Sequence, residues 1–204
     1  MGGYDPYSAS KGCAELATTS YRKSFFNPED YGSKHNILLA SARSGNVIGG
    51  GDWGEDRLIP DVVRAISKNE KLFIRNPEAT RPWQHVLEPL SGYLMLGQKL
   101  LAGRKEFADA WNFGPDEESH INVETVVKSI KKRWDRFEYE IDEKPNCHEA
   151  KLLKLDCSKA NTLLRWKPKW DFAKAIDITV RWHKEYLENM IIFSAKDLEE
   201  YCAS

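Results

Sequence analysis

The chain has little of what would mark a metal, disulfide or membrane protein. Its four cysteines, Cys13, Cys147, Cys157 and Cys202, form no CxxC pair, and apart from the neighbours Cys147 and His148 no histidine joins them in a zinc-ligand pattern. They read as reduced thiols of a cytoplasmic protein. No apolar run approaches the ~20 residues of a membrane span, and the amino terminus lacks the basic-then-apolar pattern of a secretory signal. Neither sign of charge is in excess: 30 basic residues face 31 acidic ones, a formal charge of −1, so no global field recruits nucleic acid or an anionic membrane. Repeats and low-complexity linkers are absent as well. What remains is 204 residues, 41% of them hydrophobic, enough to build a core for one or two domains. Seven tryptophans are many for this length, and several stand in polar company, which points to ligand walls or tight loop packing.

Hydrophobic spacing alternates between helix and strand, the signature of an α/β layer. A helix is expected from Tyr7 to about Phe26, with Ala14, Leu16, Ala17 and Tyr21 inside and Asn27-Pro28 ending it. Residues 36–42 form a short apolar run of the kind buried on both faces of a parallel sheet. A glycine-rich loop, Gly45 to Gly54, leads to a helix that ends near Lys68, and residues 71–74 make a brief strand. Helical periodicity returns over 86–101, a strand over 110–113, and Asn122 can cap a helix over 123–134. Strands at 139–141 and 152–155 and helices at 158–164 and 171–187 complete the pattern.

Tyr7 and Lys11 carry the most informative chemistry. Four residues make about one helical turn, so the phenol and the ammonium share a face. A phenol with an ordinary pKa near ~10 is a poor base at neutral pH, and a neighbouring cation favours its phenolate, which makes the pair a candidate proton-transfer device. Enzymes that use such a pair need a cofactor-binding turn, which is expected upstream of Tyr7. Gly49-Gly50-Gly51-Asp52-Trp53-Gly54 fits G-x-G-x-x-G and follows a strand. Asp52 and Glu55 would nevertheless set carboxylates where a pyrophosphate should lie, so the segment reads as a turning active-site loop instead. Asn46, at the mouth of the preceding strand, is then the residue of interest, because open α/β sheets bind ligands beyond their strands' carboxyl ends.

Four segments point one way: YDPYSASKGCAEL (4–16), SARSGNVIGGGDWGEDRLIPD (41–61), RPWQHVLEPLSGYL (81–94) and HEAKLLKLDCSKA (148–160). Together the chain resembles the carboxyl-terminal portion of the CDP-glucose 4,6-dehydratases, within the extended short-chain dehydrogenase/reductase family of NAD-dependent epimerases and dehydratases. The resemblance runs from Gly3 to about Tyr186. It implies the last part of a doubly wound, Rossmann-like parallel sheet over residues 1–50, a smaller α/β nucleotide-sugar lobe over 51–190, and a tail over 191–204. It implies NAD as cofactor, a nucleotide-hexose substrate, CDP-glucose foremost, and a role in deoxysugar and cell-surface polysaccharide synthesis. Tyr7 takes the place of the acid/base and Lys11 of the ribose-holding residue, with Arg43 on the cofactor side. Asn46, Arg57, Arg81, His148 and Glu149 take places on the substrate side. Of the two arginines Arg81 is preferred for the diphosphate, because a guanidinium fork matches phosphate oxygens. His85 is read as structural, and no role is assigned to Trp53 or Trp83.

The resemblance also implies departures. The glycine-rich cofactor turn and the elimination residues of the family are expected upstream of residue 1, so poor independent folding and no turnover are expected of these residues alone. Arg165 stands in Leu164-Arg165-Trp166 where relatives commonly carry Leu-Gly-Trp, a glycine that usually closes a helix. A homodimer through the helix of Tyr7 and Lys11 follows from the resemblance only. An epimerase or GDP-mannose dehydratase of the same superfamily, and a noncatalytic nucleotide-sugar-binding protein, are the competing readings.

Overall fold

The computed structural model describes residues 5–142 and 153–204. In chain order the elements are α1 (Pro6–Ser24), β1 (Ser41–Ser44), β2 (Asn46–Ile48), α2 (Leu58–Lys68), β3 (Leu72–Ile74), β4 (Thr80–His85), α3 (Leu87–Leu101), β5 (Ala110–Phe113), β6 (His120–Asn122), α4 (Val123–Arg133), β7 (Tyr139–Ile141), a π-helical turn (Ala160–Leu164), α5 (Phe172–Asn189) and α6 (Ser194–Ala203). They divide into two compact units. The first holds residues 1–44, 90–113 and 156–166, and the second 45–89, 114–155 and 167–204.

In the first unit β1 runs parallel to β5, with Ser41 opposite Ala110. Its core gathers Leu96, Phe107, Trp111, Phe113, Leu164 and Trp166. Both buried indoles find acceptors, Trp111 on the Phe107 carbonyl and Trp166 on the Ser91 hydroxyl, each at 2.9 Å, so neither N–H is left dry and unpaired. Asp5 starts α1 by accepting the Ser8 amide at 2.9 Å, with Pro6 at the first helical position.

Two expectations fail here. Ala14, Leu16, Ala17 and Tyr21 are exposed rather than inside, and the inward stripe is polar: Gly12, Glu15, Thr19 and Arg22. Glu15 accepts from the Ser41 hydroxyl and Arg22 pairs with Asp109 at 3.2 Å, so hydrogen bonds, not apolar burial, dock this helix. The expected strand 36–42 gives way to Ser41–Ser44, because residues 36–40 have no ladder partner among the described residues.

The second unit is built on three strands in the order β2, β4, β6. β2 is parallel to β4 with Asn46 opposite Trp83, and β6 is antiparallel to β4 with Ile121 opposite Arg81. The sheet is therefore mixed rather than wholly parallel. A separate parallel pair joins β3 to β7. Ile59, Val62, Val63 and Ile66 recur at helical spacing on α2 and face a core shared with Val126, Val127 and Ile130 of α4 and Ile176 of α5. Each such fully buried side chain contributes roughly 1.5–3 kcal/mol of transfer free energy. Asn122 caps α4 as its sequence position suggests, accepting the Thr125 amide at 2.9 Å. Within the stretch expected as a tail, Ser194–Ala203 form α6.

Candidate active-site residues

The first turns of α1 place Tyr7 and Lys11 on one exposed stripe. Tyr7 is 72% exposed, and the Lys11 ammonium lies 5.3 Å from the centroid of its ring, within cation-π range. Continuing the same four-residue spacing reaches Glu15. Its carboxylate accepts from the Ser41 hydroxyl at 2.9 Å and lies 3.6 Å from the Arg43 guanidinium. Arg43 is thus tied to the helix that carries the tyrosine. Glu15 escaped the sequence reading; it lies one turn beyond Lys11, on the inward side of α1.

Asn46, Arg57 and Arg81, expected on the substrate side, belong to the second unit. Asn46 opens β2, half-buried beside β4. Beyond Ile48 the parallel strands release the glycine loop, while the Val86 amide donates to the Ile48 carbonyl at 2.8 Å and holds the two strand ends together. Gly45 permits this approach: a Cβ there would stand 2.6 Å from the Pro82 carbonyl oxygen. Arg81 is buried near the start of β4, and its guanidinium donates to the Thr80 carbonyl at 3.0 Å. Arg57 precedes α2 and bonds the Asp52 carboxylate. His148 and Glu149 lie outside the described residues.

His85 ends β4 at 2% exposure, 5.0 Å ring to ring from Trp170, with Nδ1 accepting from the Leu87 amide at 3.4 Å. Burial, helped by the charge of Arg181, pushes its pKa down to about 4, so it is neutral near pH 7 and serves packing. Trp83 is structural too, its indole donating to the Ile121 carbonyl at 2.9 Å.

The glycine loop does not fit a dinucleotide pyrophosphate. Three residues, Glu55 to Arg57, lie between Gly54 and Leu58, the first residue of α2, so no helix amino terminus opens from the glycines. At Gly50 an added Cβ would fall 2.0 Å from the Trp182 indole, which shows that the missing side chain serves loop-to-helix packing. Trp53 sits 5.4 Å from the His183 ring and 5.5 Å from Tyr186, and Trp182 stacks on Tyr186. This anchoring set on α5 was not foreseen, although an aromatic pair at 182–183 followed by Tyr186 at helical spacing is its visible trace. For the ribose end of a nicotinamide dinucleotide, by contrast, the exposed hydroxyl and ammonium of Tyr7 and Lys11 on one face are a fitting donor set.

Comparison with known proteins places this arrangement. An epimerase from Methanothermobacter thermautotrophicus superposes with a TM-score of 0.74 over 92% of this chain and 52% of its own, at 21% identity. The dTDP-glucose 4,6-dehydratase of Bacillus anthracis, solved in complex with NAD, gives 0.67 over 89% of this chain and 52% of its own, at 22% identity. The fold is thus the Rossmann-like α/β fold of epimerases and dehydratases. Within that class the chain belongs to the GDP-mannose 4,6 dehydratase family, whose model matches residues 2–179. The CDP-glucose 4,6-dehydratase of Salmonella typhimurium is 49% identical across the whole chain, which spans 57% of that relative's length. No helix among the described residues is long and apolar enough to cross a membrane.

Proposed function

We propose that this chain is the acid/base-bearing and substrate-binding portion of an NAD-dependent CDP-glucose 4,6-dehydratase, a lyase that converts a nucleotide-hexose to its 4-keto-6-deoxy form. The observation that carries the reading is the Lys11 ammonium 5.3 Å from the Tyr7 ring on an exposed helix face, in a chain 49% identical to a CDP-glucose 4,6-dehydratase. Tyr7, as phenolate, takes the proton of the sugar C4 hydroxyl, and Lys11 stabilises that phenolate and holds the cofactor ribose. NAD, when bound, supplies the hydride acceptor. Arg43, braced by Glu15, belongs to the cofactor side.

On the substrate side Asn46 meets the sugar nucleotide beyond β2, and Arg81 and Arg57 meet its diphosphate. The Arg81 guanidinium is already withdrawn from water by the fold, so its pairing with phosphate incurs little further desolvation. His148 and Glu149 line the nucleotide. The family's own description keeps GDP-mannose as the second substrate to test.

The test replaces the matching segment of the Salmonella enzyme by this chain and follows keto-sugar formation. Activity with CDP-glucose above that with GDP-mannose is expected. Activity with GDP-mannose alone would overturn the nucleotide assignment.

A further inference from the structure

Three arginines on or against the loop between β2 and α2 each face an aspartate of the same region, and the three pairs are not equivalent. Arg64 bonds Asp61, and it also donates to the Trp53 carbonyl at 3.1 Å and the Gly54 carbonyl at 3.2 Å. It is a clamp on the loop backbone. Arg75 reaches Asp56 at 3.0 Å. Arg57 uses one terminal nitrogen for both oxygens of Asp52, at 3.2 and 3.1 Å, and among the described residues it bonds nothing else. Its side chain is 67% exposed, so its remaining N–H groups face solvent at the carboxyl end of β2, where ligands of such sheets bind.

Asp52 does not depend on Arg57 for its position. Its Oδ1 also accepts the Gly54 amide at 3.0 Å. Partial burial works against its ionisation, yet that amide and Arg57 hold its carboxyl below the usual carboxylate range. The loop around it is fixed at other points, by Gly50 against Trp182, by Trp53 against His183 and Tyr186, and by Arg64. The Asp52–Arg57 contact is therefore the joint that can open while the rest of the loop stays in place. An exposed pair of this kind is weak, and a phosphate offers the same guanidinium more charge and more acceptor oxygens.

We infer that Asp52 is an internal competitor for the anion site of Arg57: its carboxylate occupies the guanidinium in the free protein and a nucleotide diphosphate displaces it. The inference rests on the proposed nucleotide-sugar reading and adds a residue that sets the affinity for the diphosphate.

The experiment is a calorimetric titration of the full chain with CDP and with inorganic pyrophosphate, on the parent, Asp52→Asn, Asp56→Asn and the double variant Asp52→Asn/Arg57→Gln. Asparagine keeps the acceptor for the Gly54 amide and removes the charge, and a thermal melt of each variant checks that the fold is kept. The expected result is pyrophosphate binding roughly two- to five-fold tighter in Asp52→Asn, little change in Asp56→Asn, and loss of the gain in the double variant. Equal gains in Asp52→Asn and Asp56→Asn would mean a general charge effect and overturn the inference, as would no gain at all. CDP binding to the parent without a gain in Asp52→Asn leaves the nucleotide-sugar reading standing and sinks this one. A cooperative melt with no CDP binding to any variant sinks both.

Discussion

Arg165 occupies a left-handed backbone conformation, φ +56° and ψ 27°, where the chain leaves the π-helical turn. The arginine at a helix-closing position, where a glycine is expected, was legible in the sequence, and the backbone shows what it meets, because a Cβ makes this region unfavourable by roughly 1 kcal/mol. Arg165→Gly should therefore raise the urea midpoint of the chain by an amount equivalent to about 1 kcal/mol. His85 is a second residue whose role follows from its surroundings. The unfolded chain takes up a proton near the ordinary histidine value of about 6.5, whereas the folded one resists it down to about 4. Its contribution is complete above the higher value and is lost as pH falls through the window toward the lower. His183 moves in the same direction, and buried Glu88, whose pKa is raised by burial, opposes them. His85→Leu isolates one member of the set: the stability that the parent loses between pH 7 and pH 5 should shrink by about 2 kcal/mol. Urea titrations at the two pH values check this, and an unchanged loss would contradict the burial argument.

At the scale of elements, helices α2, α3, α4 and α5 were readable because their apolar residues recur every three or four positions. Strands β2, β4 and β6 were not. β2 is three residues long and adjoins the glycine loop, while β4 carries Arg81, Pro82, Gln84 and His85, all buried, so it offers neither alternation nor an apolar run. Its place is set by tertiary partners on both sides. α6 was equally invisible, having no strong pattern of its own. Besides ion pairs from Arg181 and Lys174 to Asp197 and Glu200, it is held by Glu88 at the start of α3, fully buried, which accepts the Tyr201 hydroxyl at 2.9 Å and the amides of Lys169 and Trp170 at 3.0 and 2.8 Å. Three donors from two distant segments converge on one carboxylate. Glu88→Ala would strand those donors and should cost about 3 kcal/mol, while Tyr201→Phe, losing one hydroxyl, should cost about 1 kcal/mol. Denaturation midpoints of both variants give the comparison, and equal costs would show that the carboxylate is not the hub.

At the scale of the whole molecule, the fold class and the family were legible in a few short segments, because those segments carry chemistry rather than packing. Tyr7 and Lys11 were singled out by their spacing, with their roles drawn from the resemblance, and the Lys11 ammonium does lie over the Tyr7 ring. The glycine motif runs into a loop rather than a helix, and its partner surface on α5 lies 134 residues away in sequence, as the Gly49–His183 contact shows, so the spacing within the motif does not reveal what it packs against. The inner face of α1 was misread for the opposite reason: its apolar residues were counted, whereas glutamate and arginine make the contacts. The most direct measurement of the central claim is the rate of keto-sugar formation by the Salmonella enzyme carrying this chain in place of its own segment, with Tyr7 intact and as Tyr7→Phe. Loss of one phenolic hydroxyl should lower that rate roughly 10²- to 10⁴-fold with the fold kept; equal rates would show that Tyr7 is not the acid/base.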